Sequence, residues 1–223
     1  MISIIVPVFN EAQNVESFLK QLRQQKGNYE IIIVDGGSSD DTIRIAHDNA
    51  RTLVSKKGRA TQMNAGASVA KGDIFLFLHA DTKLSLNALL KIEETLKDGR
   101  VIGGAFLLRF DSRNILFMLG EFFIRLRSVL FNRFYGDQGI FIRRTFFAEL
   151  SGFKEIPVME DYDFCKRMRK LGGQLVILKD PVIISARKYL EKGIIKQHLR
   201  NQWIKILYKL RVSPERLARI SEK

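Results

Sequence analysis

Carboxylates, with one histidine among them, stand where several apolar runs of the chain stop. "FLFLHADT" carries four apolar residues, Phe75 to Leu78, into His79 and Asp81. An imidazole and a carboxylate two residues apart could hold a metal or meet a phosphate, or could mark where a buried strand reaches the surface. "VPVFNEA" runs into Asn10 and Glu11, and "EIIIVDGGSSDDT" runs into Asp35. Later, "FYGDQGIFIRR" sets Asp137 and Gln138 after Gly136, and "VMEDYDF" sets Glu160 beside Asp161. A carboxylate pair can move a proton during a reaction, and it also suits the first turn of a helix, where the dipole favours negative charge.

The elements that must position these groups follow from periodicity. Short β-branched runs alternate with helical patterns through the first hundred residues: "ISIIVPV", a helix from Glu11, "EIIIVD", a helix from about Asp40, "TLVS", a helix near residues 59 to 70, and "DIFLFLHAD". That alternation predicts βαβ units and a mostly parallel sheet. Val15, Phe18, Leu19 and Leu22 recur at i, i+3, i+4 and i+7, one apolar helical face. Asn10 with Gln13, and Ser38 with Asp41, have the spacing of capping boxes. In open α/β sheets ligands lie beyond the carboxyl ends of the strands, so the acidic strand ends are the candidate site.

Beyond residue 100 the order is mixed. A strand-like "VIGGAFLLRF" is followed by a long apolar helix near residues 113 to 134, a strand in "GDQGIFIRR", a helix opening at "EDYDF", and then "QLVIL" and "PVII". From Tyr189 the pattern is helical, with Ile195, Leu199 and Trp203 on one stripe and Lys188, Lys192, Lys196 and Arg200 on another. This reads as a basic amphipathic extension over 188–223, following a domain over 1–187. That extension either packs its apolar stripe on the domain or rests on an anionic membrane surface.

Composition narrows the class. Of 223 residues, 46% are hydrophobic and 27% charged, values ordinary for a globular protein. The formal charge of +13 makes phosphorylated substrates, nucleic acid and anionic lipid all plausible partners. No helix-turn-helix, RRM or zinc pattern supports nucleic acid, and none is expected as a partner. The single cysteine, Cys165, excludes an internal disulfide and fits core packing. The N-terminus lacks a basic leader and cleavage site, so a cytoplasmic location is expected. "ILFMLGEFFIRLRSVLF" is interrupted by Glu121, Arg125 and Arg127 and falls short of a spanning helix, leaving a peripheral association with the membrane open.

"VPVFNEA", "VDGGSSDDT", "HAD", "GDQG" and "EDYDF", in this order and spacing, resemble the family 2 glycosyltransferases of the GT-A fold over roughly residues 2 to 185. The tail segments "SARKYLEKG" and "RVSPERLAR" resemble a bacterial branch of that family, the arsenosugar-biosynthesis type. Two positions depart from the family pattern: Gly36 stands where a second aspartate is usual, and His79 where the first aspartate of a metal motif is usual.

The resemblance implies a Rossmann-like, mixed but mostly parallel sheet flanked by helices, with residues 1–100 binding a donor and 101–187 an acceptor. It implies transfer of a sugar from a UDP-, GDP- or dTDP-linked donor to an acceptor hydroxyl, with inversion. Pro7, Phe9 and Glu11 would border the nucleoside, Asp35 would accept a hydrogen bond from the base, and Arg59 would meet the diphosphate. A carboxylate just past a strand end can read an imide N–H, although Asp35 could also simply start a helix, and Arg59 could be a surface cation. Asp81 would hold a divalent ion, Mg²⁺ or Mn²⁺, which neutralises the leaving diphosphate. On an extended chain His79 would share its side, and a nitrogen ligand would favour Mn²⁺. Gly136, Asp137 and Gln138 would contact the acceptor, which could be lipid-linked. Asp161 would act as general base while Glu160 orients the acceptor. A nucleotide-sugar-binding protein without catalysis is the alternative that the two departures allow, and turnover of a donor separates the two.

Overall fold

The computed structural model describes residues 1–222; the side chains of Lys188, Lys192 and Glu222 lie outside the described set, so the first two members of the basic stripe are not placed. Over the first eighty residues, β1 (Ile2–Val8), α1 (Ala12–Leu22), β2 (Tyr29–Asp35), α2 (Thr42–His47), β3 (Arg51–Val54), α3 (Arg59–Val69) and β4 (Ile74–Phe77) alternate as the periodicity predicts. Then come β5 (Thr82–Lys83), α4 (Ala88–Thr95), β6 (Val101–Phe110), α5 (Ile115–Phe131), a 3₁₀ turn at Gly136–Gln138, β7 (Ile140–Arg143) and α6 (Arg144–Glu149). The chain continues with α7 (Glu160–Met168), β8 (Gln174–Ile184), α8 (Arg187–Lys192), α9 (Ile194–Lys209) and α10 (Pro214–Glu222).

Among the described residues the strands form one sheet in the order β3-β2-β1-β4-β7-β6-β8-β5. The pairs β3–β2, β2–β1, β1–β4 and β6–β8 are parallel, whereas β7 runs antiparallel to both β4 and β6, and β5 runs antiparallel to β8. Every residue of β1 is buried, as suits a central strand covered on both faces. Its residues alternate between two cores. Ile2, Ile4, Val6 and Val8 pack with Val15, Phe18, Leu19 and Leu22 of α1 and with α4, while Ile5 faces Met63 and Ala67 of α3 and Phe164 of α7 on the other side.

This topology places the site. With β7 reversed, β1, β2, β4, β6 and β8 all point their carboxyl ends to one edge, and the turn that opens β7 joins them there. Sequence order reverses beside β1, since β2 and β3 lie to one side and β4 to the other, which opens a crevice beyond the strand ends.

Several local expectations are corrected. Neither predicted capping box forms: the N-caps are Glu11 and Asp41, and neither makes a side-chain cap bond. Asn10 instead adopts a positive φ of 54° and accepts the Ser39 N–H, tying the β1 loop to the β2 loop. β4 ends at Phe77, and the Thr82 N–H bonds back to the His79 carbonyl. His79 and Asp81 therefore lie on a turn, not an extended strand, and the same-side argument for them fails. "QLVIL" and "PVII" are one strand, β8, whose register jumps by a bulge that accommodates Pro181. The C-terminal extension is three helices rather than one, broken at Gly193 and again before Pro214.

Candidate active site

One side of the crevice is built on the ends of β1 and β2. Asp35 is buried, and its carboxylate accepts the N–H groups of Gly37 and Ser38, each at 2.8 Å, and the Ser38 hydroxyl. A carboxylate offers about four lone-pair positions, so one remains for a ligand donor. Beneath it lies Gln62 of α3, which sequence reasoning did not single out. Its Nε2 donates to the carbonyls of Val8 and Val34, at 2.8 and 2.7 Å, stitching the two strand ends together. A Cβ on Gly36 would lie 3.1 Å from Gln62 Oε1. The glycine that departs from the family pattern thus makes room for this strut.

Pro7 is buried within β1, whereas Phe9 is exposed with Lys57 Nζ 3.8 Å above its ring. Glu11 is half-buried and accepts from the Asn14 amide. Arg59 opens α3, largely exposed, with its guanidinium 4.0 Å from Glu160 Oε1. A cation at the start of α3 and an acid at the start of α7 therefore face each other across the crevice.

The other side is organised around Gly136. Its N–H donates to Asp161 Oδ2 at 2.9 Å, and the Tyr162 N–H donates to Oδ1 at 2.6 Å, so two backbone groups fix the Asp161 carboxylate. A Cβ on Gly136 would sit 3.3 Å from both Asp161 Oδ2 and His79 Nε2. A side chain here would press on both groups, which would have to give by a few tenths of an ångström. A cavity of about 10 Å³, lined by His79, Gly136, Glu160 and Asp161 among others, joins the β4 turn to the start of α7. Glu160 is 4% exposed; burial, then the Asp161 charge, push its carboxyl up to about 7, and Arg59 only partly opposes them.

Asp137 is half-buried, but its Oδ1 is enclosed without a protein hydrogen-bond partner, and burial raises its pKa. Gln138 does not face a ligand: it is fully buried, donating to the Phe106 carbonyl and accepting from Arg127 and Ser128. Its role is to hold the 3₁₀ turn. Tyr135 stacks on Tyr162 and lies under Arg127 and Lys205, at 4.0 and 4.3 Å from the ring. The tyrosines stand inside motifs legible in the sequence. Lys205, far downstream on α9, carried no signal.

His79 and Asp81 are both half-buried on the turn after β4. Among the described residues no three His, Cys, Asp or Glu side chains converge as a metal cage.

A mixed α/β sheet with an acidic strand-end loop facing an acidic helix start across its reversal point has the layout of the GT-A nucleotide-sugar transferases. Residues 3–155 match the family described as Glycosyl transferase family 2, and the chain belongs to that family. It is thus a nucleotide-sugar-dependent glycosyltransferase by class. It is 32% identical over 178 residues to the PGL/p-HBAD biosynthesis glycosyltransferase of Mycobacterium bovis, covering 74% of this chain and 68% of that one. Its fold is similar to the mannosyltransferase PcManGT from Pyrobaculum calidifontis in complex with GDP-Man and Mn²⁺, with a TM-score of 0.67 at 21% identity over 93% of this chain and 64% of that one. S. aureus TarS 1-349 in complex with UDP-GlcNAc gives 0.65 at 18% identity, over 82% of this chain and 58% of that one.

Proposed function

We propose that this chain transfers a sugar from a uridine or guanosine diphosphate sugar to an acceptor hydroxyl, with inversion and with a divalent ion bound. The observation that carries the reading is the meeting of His79, Gly136, Glu160 and Asp161 around one cavity at the strand-end crevice. Asp161 is the general base. As the acceptor oxygen bonds to the anomeric carbon, its proton passes to the Asp161 carboxylate and the bond to the donor phosphate oxygen breaks. Attack from the opposite face inverts the centre, and no enzyme nucleophile is needed. Gly136 and Tyr162 fix the base by their N–H groups, with Asp137, next to Gly136 in the chain, as an acceptor contact. Phe9 and Asp35 bind the nucleoside, with Lys57 and Arg59 supplying positive charge beside the diphosphate.

Asp81, half-buried on the turn after β4, would hold a divalent ion, since Mg²⁺ and Mn²⁺ sites are commonly completed by substrate oxygens and water around one or two carboxylates. His79 on the same turn would be a second ligand if the turn brings its nitrogen to the ion. When bound there, the ion supplies charge neutralisation for the departing diphosphate.

A second assignment has one observation in its favour: a carboxyl pushed up to about 7 is matched to proton transfer near neutrality, which would make Glu160 the base. The function is tested by a thermal-shift screen of UDP-, GDP- and dTDP-sugars with each ion, followed by NMR of the product's anomeric centre. No shift with any donor refutes donor binding, and a retained configuration refutes the single-displacement mechanism.

A further inference from the structure

Helix α9 keeps only part of its apolar surface against the domain. Ile204 is buried and Ile194 packs on a core cluster, with Lys205 over Tyr135 and the Tyr208 hydroxyl 3.5 Å from Asp163 on the same inward side. Its apolar stripe points outward, with Ile195, Leu199 and Trp203 between 54% and 62% exposed. α5 repeats this on a larger scale. Ten of its seventeen residues are large, apolar and exposed, Phe122 and Phe123 at 59% and 63%, while Phe117 and Ser128 are its buried residues. A surface helix ordinarily turns its apolar face to the core, and a broad exposed apolar patch marks a surface that something else covers.

The two helices are neighbours at the catalytic edge. Phe117 and Ile124 of α5 share a small cluster with Tyr189 of α8, Ile194 of α9, and Phe110 and Ile184 at the carboxyl ends of β6 and β8. Arg127 from α5 and Lys205 from α9 both lie over Tyr135, the residue before the Gly136 that holds Asp161.

We propose that α5 and α9 together form a docking surface for an anionic lipid bilayer, their apolar side chains entering the boundary between headgroups and acyl chains. Charge selects this occupant over a second copy of the chain. Ile194 to Pro214 holds no acidic residue, and Lys196, Lys209 and Arg211 stand exposed along it. On α5 the one acid, Glu121, is turned to accept the Phe110 N–H, and Arg125 stands exposed on the apolar side, where its stem can lie along apolar surface while its head reaches a phosphate. Two such faces would oppose like charges, whereas anionic headgroups complement them. No described helix is long and apolar enough to cross the bilayer, so the contact is interfacial. The surface lies beside Asp137 and Asp161, and on the transferase reading it brings the acceptor end of the site to the plane of the membrane. Lipid binding itself does not depend on that reading.

The test uses the full chain with phosphatidylcholine vesicles, with and without phosphatidylglycerol, at physiological salt. Flotation with the anionic vesicles alone is expected, together with a blue shift in the emission of Trp203, the only tryptophan. The double variant Phe122→Ser, Phe123→Ser removes exposed rings and so should keep the thermal midpoint, yet lose vesicle affinity by roughly tenfold or more. Equal binding to both vesicle types, no binding to either, wild-type affinity in the double variant, or a stable dimer whose Trp203 emission is already blue-shifted without lipid would each overturn the proposal. Donor binding is read on the same protein by thermal shift. Lost vesicle binding with donor binding intact sinks only the lipid surface, and the reverse sinks only the transferase reading.

Discussion

Replacing Glu160 by Gln should flatten the dependence of stability on pH. In the folded protein the Glu160 carboxyl is pushed from its ordinary 4.5 up to about 7 by burial and by the adjacent Asp161 charge. Between those values the folded protein holds a proton that the unfolded chain has released, so stability falls as pH rises through that window. Above about 7 the penalty is complete, and below about 4.5 it is absent. Roughly two and a half pH units at about 1.4 kcal/mol per unit sets a ceiling of about 3 kcal/mol, with relaxation and water entry bringing the measured value below it. Gln has nearly the same shape and no charge, so the variant should gain about 1–3 kcal/mol over wild type at pH 8 and little at pH 4.5. Urea unfolding of both proteins across this range reads the difference directly, because contributions shared by the two cancel. Arg59→Ala, which removes the nearest opposing cation at 4.0 Å, should steepen the wild-type slope. Parallel profiles for wild type and Glu160→Gln would refute the picture of a buried, proton-holding carboxyl at the site.

Asp161→Asn is expected to keep donor affinity in thermal shift while turnover drops about 10²–10⁴-fold, with Glu160→Gln losing less; the reverse ranking in steady-state assays would move the base to Glu160. Asp81→Asn should abolish metal-dependent donor binding, and His79→Ala should change the Mn²⁺/Mg²⁺ preference with a smaller loss, both read by calorimetric titration with each ion. Gln62→Ala leaves the Val8 and Val34 carbonyls without their buried donor and should cost about 2–3 kcal/mol in urea unfolding, together with weaker nucleotide binding.

The βαβ elements of the first hundred residues were legible because their signals are local. A βαβ unit repeats apolar runs and helical stripes within some thirty residues, and the α1 stripe, Val15, Phe18, Leu19 and Leu22, packs as the spacing implied. Capping failed for a reason equally local to the loops but invisible in spacing. Asn10 and Ser38 are needed to tie one strand-end loop to the other, since the Asn10 N–H donates to Ser38 Oγ and the Asn10 side chain accepts from Ser39. A side chain serving a neighbouring loop cannot also cap its own helix. Past residue 100 the contacts are non-local, and an apolar helix such as α5 reads in sequence as a core element when most of its side chains are in fact outside.

The site followed the same division. Motifs placed His79, Asp137, Glu160 and Asp161, but the reasons they form one constellation lie in atoms without side-chain signatures, chiefly the Gly136 N–H and the empty space where its Cβ would be. Gln138, next to it, has the residue type of a sugar ligand and the burial of a strut; periodicity cannot distinguish these, because the difference is whether Phe106 and Arg127 reach it first. Gly36 shows the converse. In sequence it is a departure from the family's paired aspartates, while in space it is the position over which Gln62 passes to bond β1 to β2. A second aspartate there would drive its Cβ against that amide. A Gly36→Asp change should therefore displace the Gln62 amide by a few tenths of an ångström and weaken nucleotide binding, read by thermal shift with UDP and GDP, with Gln62→Ala in the same protein removing the contact.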